Sequence, residues 1–174
     1  MNCFVIANPD KCIGCRTCMI ACVVAHNGEE LFYKNHSDIN FNPKLEVIKT
    51  ETVSAPIQCK HCEDAPCAKA CPNDAIDRLD NSILVNQSKC IGCKTCMIAC
   101  PFGAIDISPL GEIPDDKLLF KEYMVANKCD LCRGVEDGPA CVKVCPTKAF
   151  KIVKEDDIDF SIKNKRKLAV LVLH

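Results

Sequence analysis

Sixteen of the seventeen cysteines in this chain fall into four groups of four, and their spacing limits the fold more than any other feature. Cys12, Cys15, Cys18 and Cys22 form the first group, and Cys90, Cys93, Cys96 and Cys100 the third; both read C-x2-C-x2-C-x3-C. Cys59, Cys62, Cys67 and Cys71 read C-x2-C-x4-C-x3-C, and Cys129, Cys132, Cys141 and Cys145 read C-x2-C-x8-C-x3-C. Pro72, Pro101 and Pro146 follow the last cysteine of groups two to four, where group one has Val23. Cys3 is left over.

Either disulfides or metal must use so many thiols. The start of the chain has no basic n-region, no long apolar stretch and no twin arginine, so the expectation is a reducing cytoplasm, where structural disulfides are rare. No stretch approaches the roughly 20 apolar residues that span a bilayer. With 22 Lys and Arg against 23 Asp and Glu there is no basic footprint for nucleic acid. Two Tyr, seven Phe and no Trp in 174 residues make a thin aromatic core, so something bonded to sulfur must add stability. Metal is the expected answer.

Three thiolates a few residues apart, then a fourth before proline, is the run that binds a [4Fe–4S] cubane. Three can each reach a different iron corner from one loop, and in two-cluster proteins the fourth ligates the other cluster. Zinc is the rival, but a structural zinc site pairs two distant knuckles and has no use for the extra cysteines of each run. Four runs therefore predict four [4Fe–4S] clusters. A cluster with four thiolates has no open iron for substrate, whereas catalysis at a metal needs one. No phosphate loop, dinucleotide fingerprint or nucleophile arrangement stands out. The expectation is a non-catalytic electron carrier; the alternative is a maturation or scaffold protein with structural clusters.

The chain also repeats itself. Residues 11–22, KCIGCRTCMIAC, recur at 89–100 with Lys94 in place of Arg16. Groups two and four echo each other through Glu63-Asp64-Ala65-Pro66-Cys67 and Glu136-Asp137-Gly138-Pro139-Ala140-Cys141, which gives the order A, B, A′, B′. Gly14 and Gly92 sit at matching places between the first two cysteines of the A runs, where a glycine permits the turn that aims backbone N–H groups at cluster sulfur. A generic turn glycine is the plainer alternative. Short helices are expected to begin near Cys18, Cys67, Cys96 and Cys141. Strands are expected at Phe4–Ile6, Leu45–Ile48, Ala75–Ile76, Ile83–Val85, Ala104–Ile107 and Ala149–Val153.

Cys3 reads as a small buried hydrophobe on the first strand. His61 reads as a solvated loop side chain, with a bond to cluster sulfur as the alternative. His26 and His36 fall in an apparent polar loop and receive no role. Lys11, Arg16, Lys60, Lys89, Lys94, Lys128 and Arg133 flank the runs and read mostly as solvated charges, although they could raise potentials or dock an acidic partner. The tail has acids at 155–159 and bases at 163–167, which suits a helix begun near Asp156. Ile158, Ile162, Ala169, Val172 and Leu173 share one face of it. It is either an added element of its own module or a docking segment for another subunit or another copy.

The runs at Lys11–Cys18, Cys62–Cys67 and Asn127–Cys132, in this order, resemble the four-cluster iron–sulfur subunits of molybdenum and tungsten enzyme complexes. Within these the chain is most similar to the HydN/HycB type associated with formate dehydrogenases and hydrogenases. The resemblance covers residues 1 to about 153. It implies an α+β chain of two bacterial-ferredoxin-like modules, one inserted in the other: residues 1–52 with 108–153 outside, 53–107 inside and 154–174 as a tail. It implies ligand sets of Cys12, Cys15, Cys18 with Cys145; Cys129, Cys132, Cys141 with Cys22; Cys59, Cys62, Cys67 with Cys100; and Cys90, Cys93, Cys96 with Cys71. Pairing of adjacent runs is the alternative. The implied partners are a formate dehydrogenase, an [FeFe] or [NiFe] hydrogenase, other ferredoxin-like subunits or further copies of the chain. Val23 departs from the pattern and is expected to loosen the turn after Cys22 without removing a ligand.

Overall fold

The computed structural model describes residues 3–35, 39–110, 123–136 and 138–172. Its regular elements are short and mixed. Strands β1 (Phe4–Ala7), β2 (Leu45–Lys49), β3 (Ser54–Gln58), β4 (Ile76–Leu79), β5 (Ser82–Val85), β6 (Asp106–Pro109), β7 (Met124–Asn127) and β8 (Phe150–Val153) form four two-stranded antiparallel sheets. Helix α1 (Thr17–Asn27) carries the third and fourth cysteines of group one, α2 (Pro66–Lys69), α3 (Thr95–Ala99) and α4 (Ala140–Val144) carry the third cysteine of groups two, three and four, and α5 (Glu155–Val172) ends the described chain.

Two of the sheets are local: β2 pairs with β3, and β4 with β5 across the Asp80-Asn81 turn. The other two join distant parts. Strand β1 pairs with β8 in the register Phe4↔Val153 to Ala7↔Phe150, and β6 pairs with β7 from Asp106↔Asn127 to Pro109↔Met124. Helix α1 packs on α4, and α2 on α3.

Cysteine is core material here. One cluster gathers Ile76, Ile83, Ile105 and Val125 round Cys67, Cys90 and Cys96; another gathers Leu45 and Val47 round Cys18, Cys22 and Cys141. Small hydrophobes around thiols do the work that aromatics do in ordinary interiors.

Proline explains why α3 and α4 stop at their fourth cysteine. The residue before a proline is driven out of the helical region, and Cys100 and Cys145 take ψ of 114° and 113°. With Val23 in that place, α1 runs on to Asn27 and stops only at Gly28, whose φ is 78°. The expected loosened turn is thus an added helical turn. It carries His26, which lies on a helix rather than in a polar loop; His36 lies outside the described residues.

Cys3 lies just before β1 and is half-buried, its N–H bonded to Asn81 O at 3.2 Å, so it is neither on a strand nor fully buried. The tail is helical as expected, and α5 is exposed along most of its length. Asp157 Oδ2 accepts the Lys154 N–H at 3.1 Å, which caps its first turn. Leu173 lies outside the described residues. No helix among them is long and apolar enough to cross a membrane.

Candidate metal centres

Each C-x2-C segment makes the same left-handed turn. The residue before its second cysteine has positive φ in all four: Gly14 (68°), His61 (48°), Gly92 (64°) and Leu131 (61°). In the A runs the next chain segment comes close. A Cβ at Gly92 would stand 2.5 Å from Met124 O, and one at Gly14 would stand 2.9 Å from Ser54 Oγ. The turn favours glycine at both places, and at Gly92 the backbone oxygen also leaves no room for a side chain, whereas at Gly14 the neighbour is a side-chain hydroxyl.

A second turn repeats after the fourth cysteine. Asp74, Gly103 and Lys148 are left-handed, with φ of 48°, 58° and 50°. That turn brings the next N–H back onto the thiol: Ala75 to Cys71 at 3.3 Å, Ala104 to Cys100 at 3.5 Å and Ala149 to Cys145 at 3.3 Å. In group one, where α1 continues, Lys44 N–H serves Cys22 instead, at 3.3 Å. Further N–H donors reach Cys59 from His61, Cys90 from Ala126 and Cys132 from Ala140, at 3.3, 3.4 and 3.5 Å. Thr17 and Thr95 hydroxyls donate to Cys15 and Cys93. Such donors favour the thiolate that metal needs.

The thiols surround hollows rather than points. One hollow is lined by Cys90, Cys93, Cys96 and Cys71. Another is lined by Cys59, Cys62, Cys67 and Cys100. Among the described residues no three Cys, His, Asp or Glu side chains converge as a single ion requires, and all seventeen cysteines are free thiols. Hollows ringed by four thiols and furnished with N–H donors fit cubanes with an iron at each corner.

Burial raises most of the inner thiols, Cys18 and Cys96 to about 11 and Cys141 still further. Neighbouring thiols add to it across groups: Cys22 and Cys18 on Cys141, Cys22 on Cys132, Cys100 on Cys62 and Cys67, Cys67 on Cys96, and Cys59 on Cys129. Cys15 and Cys93 are exposed and lie below the usual thiol range because Thr17 and Thr95 bond to them; Cys145 acts weakly against this at Cys15.

Three side chains near these groups were hidden from sequence reasoning. His61 is wholly buried, not solvated. Its Nδ1 accepts the Ile83 N–H at 3.0 Å, and burial holds its pKa down to about 3. Lys128, 3% exposed, donates from Nζ to Ile83 O and Cys129 O. His26 donates from Nδ1 to Cys22 O at 2.7 Å and from Nε2 to Asp130. Burial opposes its charge, yet Asp130 lifts its pKa to about 10, and Asp130 also binds Lys44 Nζ at 3.3 Å and the Cys132 N–H at 3.0 Å. The i, i+4 spacing of Cys22 and His26 was the available signal for this last contact.

Paired four-thiol hollows on short strands and helices define the class of multi-cluster [4Fe–4S] electron carriers. Residues 50–155 match the 4Fe-4S dicluster domain family, and residues 9–24 a 4Fe-4S binding domain. The chain is 43% identical to the electron transport protein HydN of Escherichia coli over 99% of both chains. It is 43% identical to formate hydrogenlyase subunit 2 of that organism over 97% of this chain and 90% of that protein. It is 46% identical to the putative oxidoreductase AegA, also of Escherichia coli, over 95% of this chain but only 24% of AegA. The chain belongs to the HydN-type family of 4Fe-4S dicluster electron-transport proteins and carries four [4Fe–4S] clusters.

Proposed function

We propose that this chain is a non-catalytic subunit that relays electrons between a formate dehydrogenase and a hydrogenase. Full-length likeness to HydN and to formate hydrogenlyase subunit 2 supports the choice of partners. The observation that carries the relay itself is that each hollow is lined by thiols of two runs, most of them buried or half-buried, while one thiol of each A run, Cys15 and Cys93, is exposed.

The ligand sets are Cys12, Cys15, Cys18, Cys145; Cys129, Cys132, Cys141, Cys22; Cys59, Cys62, Cys67, Cys100; and Cys90, Cys93, Cys96, Cys71. Packing of α1 on α4 and of α2 on α3 supports this crossed arrangement, as do the linings of the two hollows. So does the β1–β8 pairing, which favours an outer module, 1–52 with 108–153, round an inner one at 53–107; of these, residues 111–122 lie outside the described chain. Electrostatic contact of Cys18 with Cys141, Cys59 with Cys129 and Cys67 with Cys96 supports a row in the order just given.

When bound, the clusters supply one-electron oxidation and reduction with closed coordination. The chain's own part is to hold sixteen thiolates, direct N–H groups at them, keep water from the inner sulfurs and leave one ligand of each end group at the surface. Exposed Ile13 and Ile20 beside Arg16, and Ile91 and Ile98 beside Lys94, give both ends the same apolar and basic surface. Segment 154–174 is assigned to contact with a further subunit or copy, and the cytoplasm is the expected location.

The test is formate-dependent hydrogen evolution from a purified formate dehydrogenase and hydrogenase, with and without the anoxically prepared chain. A large rise in rate supports the relay. Clusters that dithionite reduces but neither enzyme can, or that stay inert throughout, favour the scaffold role.

A further inference from the structure

Three buried polar side chains stand beside Cys59 and Cys129, the thiols nearest the joint between the second and third sites of the row. They are Gln58, His61 and Lys128, which are 1%, 0% and 3% exposed. Lys128 Nζ donates to Ile83 O and, at 2.8 Å, to Cys129 O. An ammonium has three donors, so one is left among the described residues. Among the described residues no carboxylate pairs with it; the nearby Asp130 is engaged by His26 and Lys44. His61 is neutral with its proton on Nε2, because Nδ1 accepts from Ile83, and Nε2 has no protein partner.

Interior ammonium groups are costly unless opposite charge lies close. This group holds a cation, an unused ammonium donor and an unused ring N–H; its one unpartnered acceptor among the described residues is the neutral Gln58 Oε1, and it holds no anion. A four-thiolate iron–sulfur site carries net negative charge and takes on more when reduced, so it supplies what the group lacks. Lys128 also counters the effect of burial at Cys67 and at Cys129, one thiol of each site.

We propose that Lys128 is the shared counter-cation of the two central sites, Cys59/Cys62/Cys67/Cys100 and Cys129/Cys132/Cys141/Cys22, and that its fixed charge raises the potentials of both relative to the two end sites. This rests on the ligand sets assigned above. Lys128 is a positioning residue: it binds no partner and ligates no iron, and it acts through the field it sets across the joint. Reduction next to a fixed positive charge is favoured on both sides. An electron crossing the joint therefore passes between two sites that the same ammonium keeps matched.

The experiment is an EPR-monitored redox titration of the full, cluster-loaded chain carrying Lys128→Gln or Lys128→Arg. Gln keeps a donor for Ile83 O and removes the charge; Arg keeps the charge. In the Gln chain two of the four midpoint potentials should fall by on the order of a tenfold shift in the reduction equilibrium, about 59 mV for one electron, while the other two stay. The Arg chain should titrate like the wild type. Four unchanged potentials in a loaded Gln chain, or an equal shift of all four, would overturn the proposal. If the Gln chain does not retain iron, retention by the Arg chain supports the charge requirement, and loss by both overturns it. Error in the ligand sets shows separately: Cys59→Ser and Cys129→Ser would then disturb the same EPR signal in chains that keep Lys128.

Discussion

His26 and Asp130 stand 104 residues apart in sequence, and their side chains meet at 3.0 Å, which ties the last turn of α1 to the C-x2-C turn of group four. Both side chains are about three-quarters covered. Asp130→Asn keeps the acceptor for the Cys132 N–H but removes the charge that His26 and Lys44 share. A charge-assisted, partly buried contact of this kind contributes about 1–3 kcal/mol. The mutant should melt several degrees lower and lose iron faster from the group containing Cys22, as followed by visible absorbance during anoxic heating. A melting curve unchanged from the wild type would show the contact to be ornamental.

Val23→Pro makes group one match the other three in sequence, yet it should destabilise the protein. A proline there removes a helical N–H and clashes with the preceding turn, at a cost of about 3 kcal/mol or more. It also breaks the segment that carries His26. Lower yield of cluster-loaded protein and weaker thermal resistance are expected; equal or better stability would mean that the extra turn of α1 has no structural role.

Gly92→Ala should be far more damaging than Gly14→Ala. Both pay about 1–2 kcal/mol for a left-handed side chain. At Gly92 the new methyl also meets the backbone oxygen of Met124 at 2.5 Å, which holds β7 in place, whereas at Gly14 it meets a serine hydroxyl that can turn away. Adding Ser54→Ala to Gly14→Ala should relieve the contact and leave only the backbone strain. Comparison of iron content and melting temperature across the set decides it, with equal losses at the two glycines counting against the account.

Iron removal should unfold the chain rather than leave an empty shell. The apolar clusters are built round Cys18, Cys22, Cys67, Cys90, Cys96 and Cys141, with few large side chains. In small metallo-domains the energy of metal binding is folding energy. Anoxic chelation followed by circular dichroism should show loss of the cooperative thermal transition. Retention of a sharp transition by iron-free protein would contradict this.

That the chain carries four clusters was legible in the sequence, because four cysteine runs of this spacing report directly on which thiols can share a loop. Six strands were legible as well, through their aliphatic runs. Strand β3 was hidden by Pro56, which pairs opposite Val47, and β7 because Met124-Val125-Ala126-Asn127 holds a single β-branched residue. Polar burial was not legible at all. His61 occupies the place that glycine takes in the A runs, and nothing local says that its ring turns inward under β5. Lys128 looks like one more charge beside a cysteine run until tertiary packing covers it. Val23 was visible as an exception, but its consequence depended on a partner, Asp130, supplied from the far end of the chain.

The fold and the relay both depend on four cubanes in one chain. The most direct measurement is the iron and acid-labile sulfide content of anoxically isolated protein, taken with the EPR spectrum after reduction. The account predicts enough of both for four [4Fe–4S] clusters, and a spectrum broadened by magnetic interaction between neighbours. Stoichiometric zinc without sulfide, or a spectrum of isolated clusters from half that iron content or less, would contradict it.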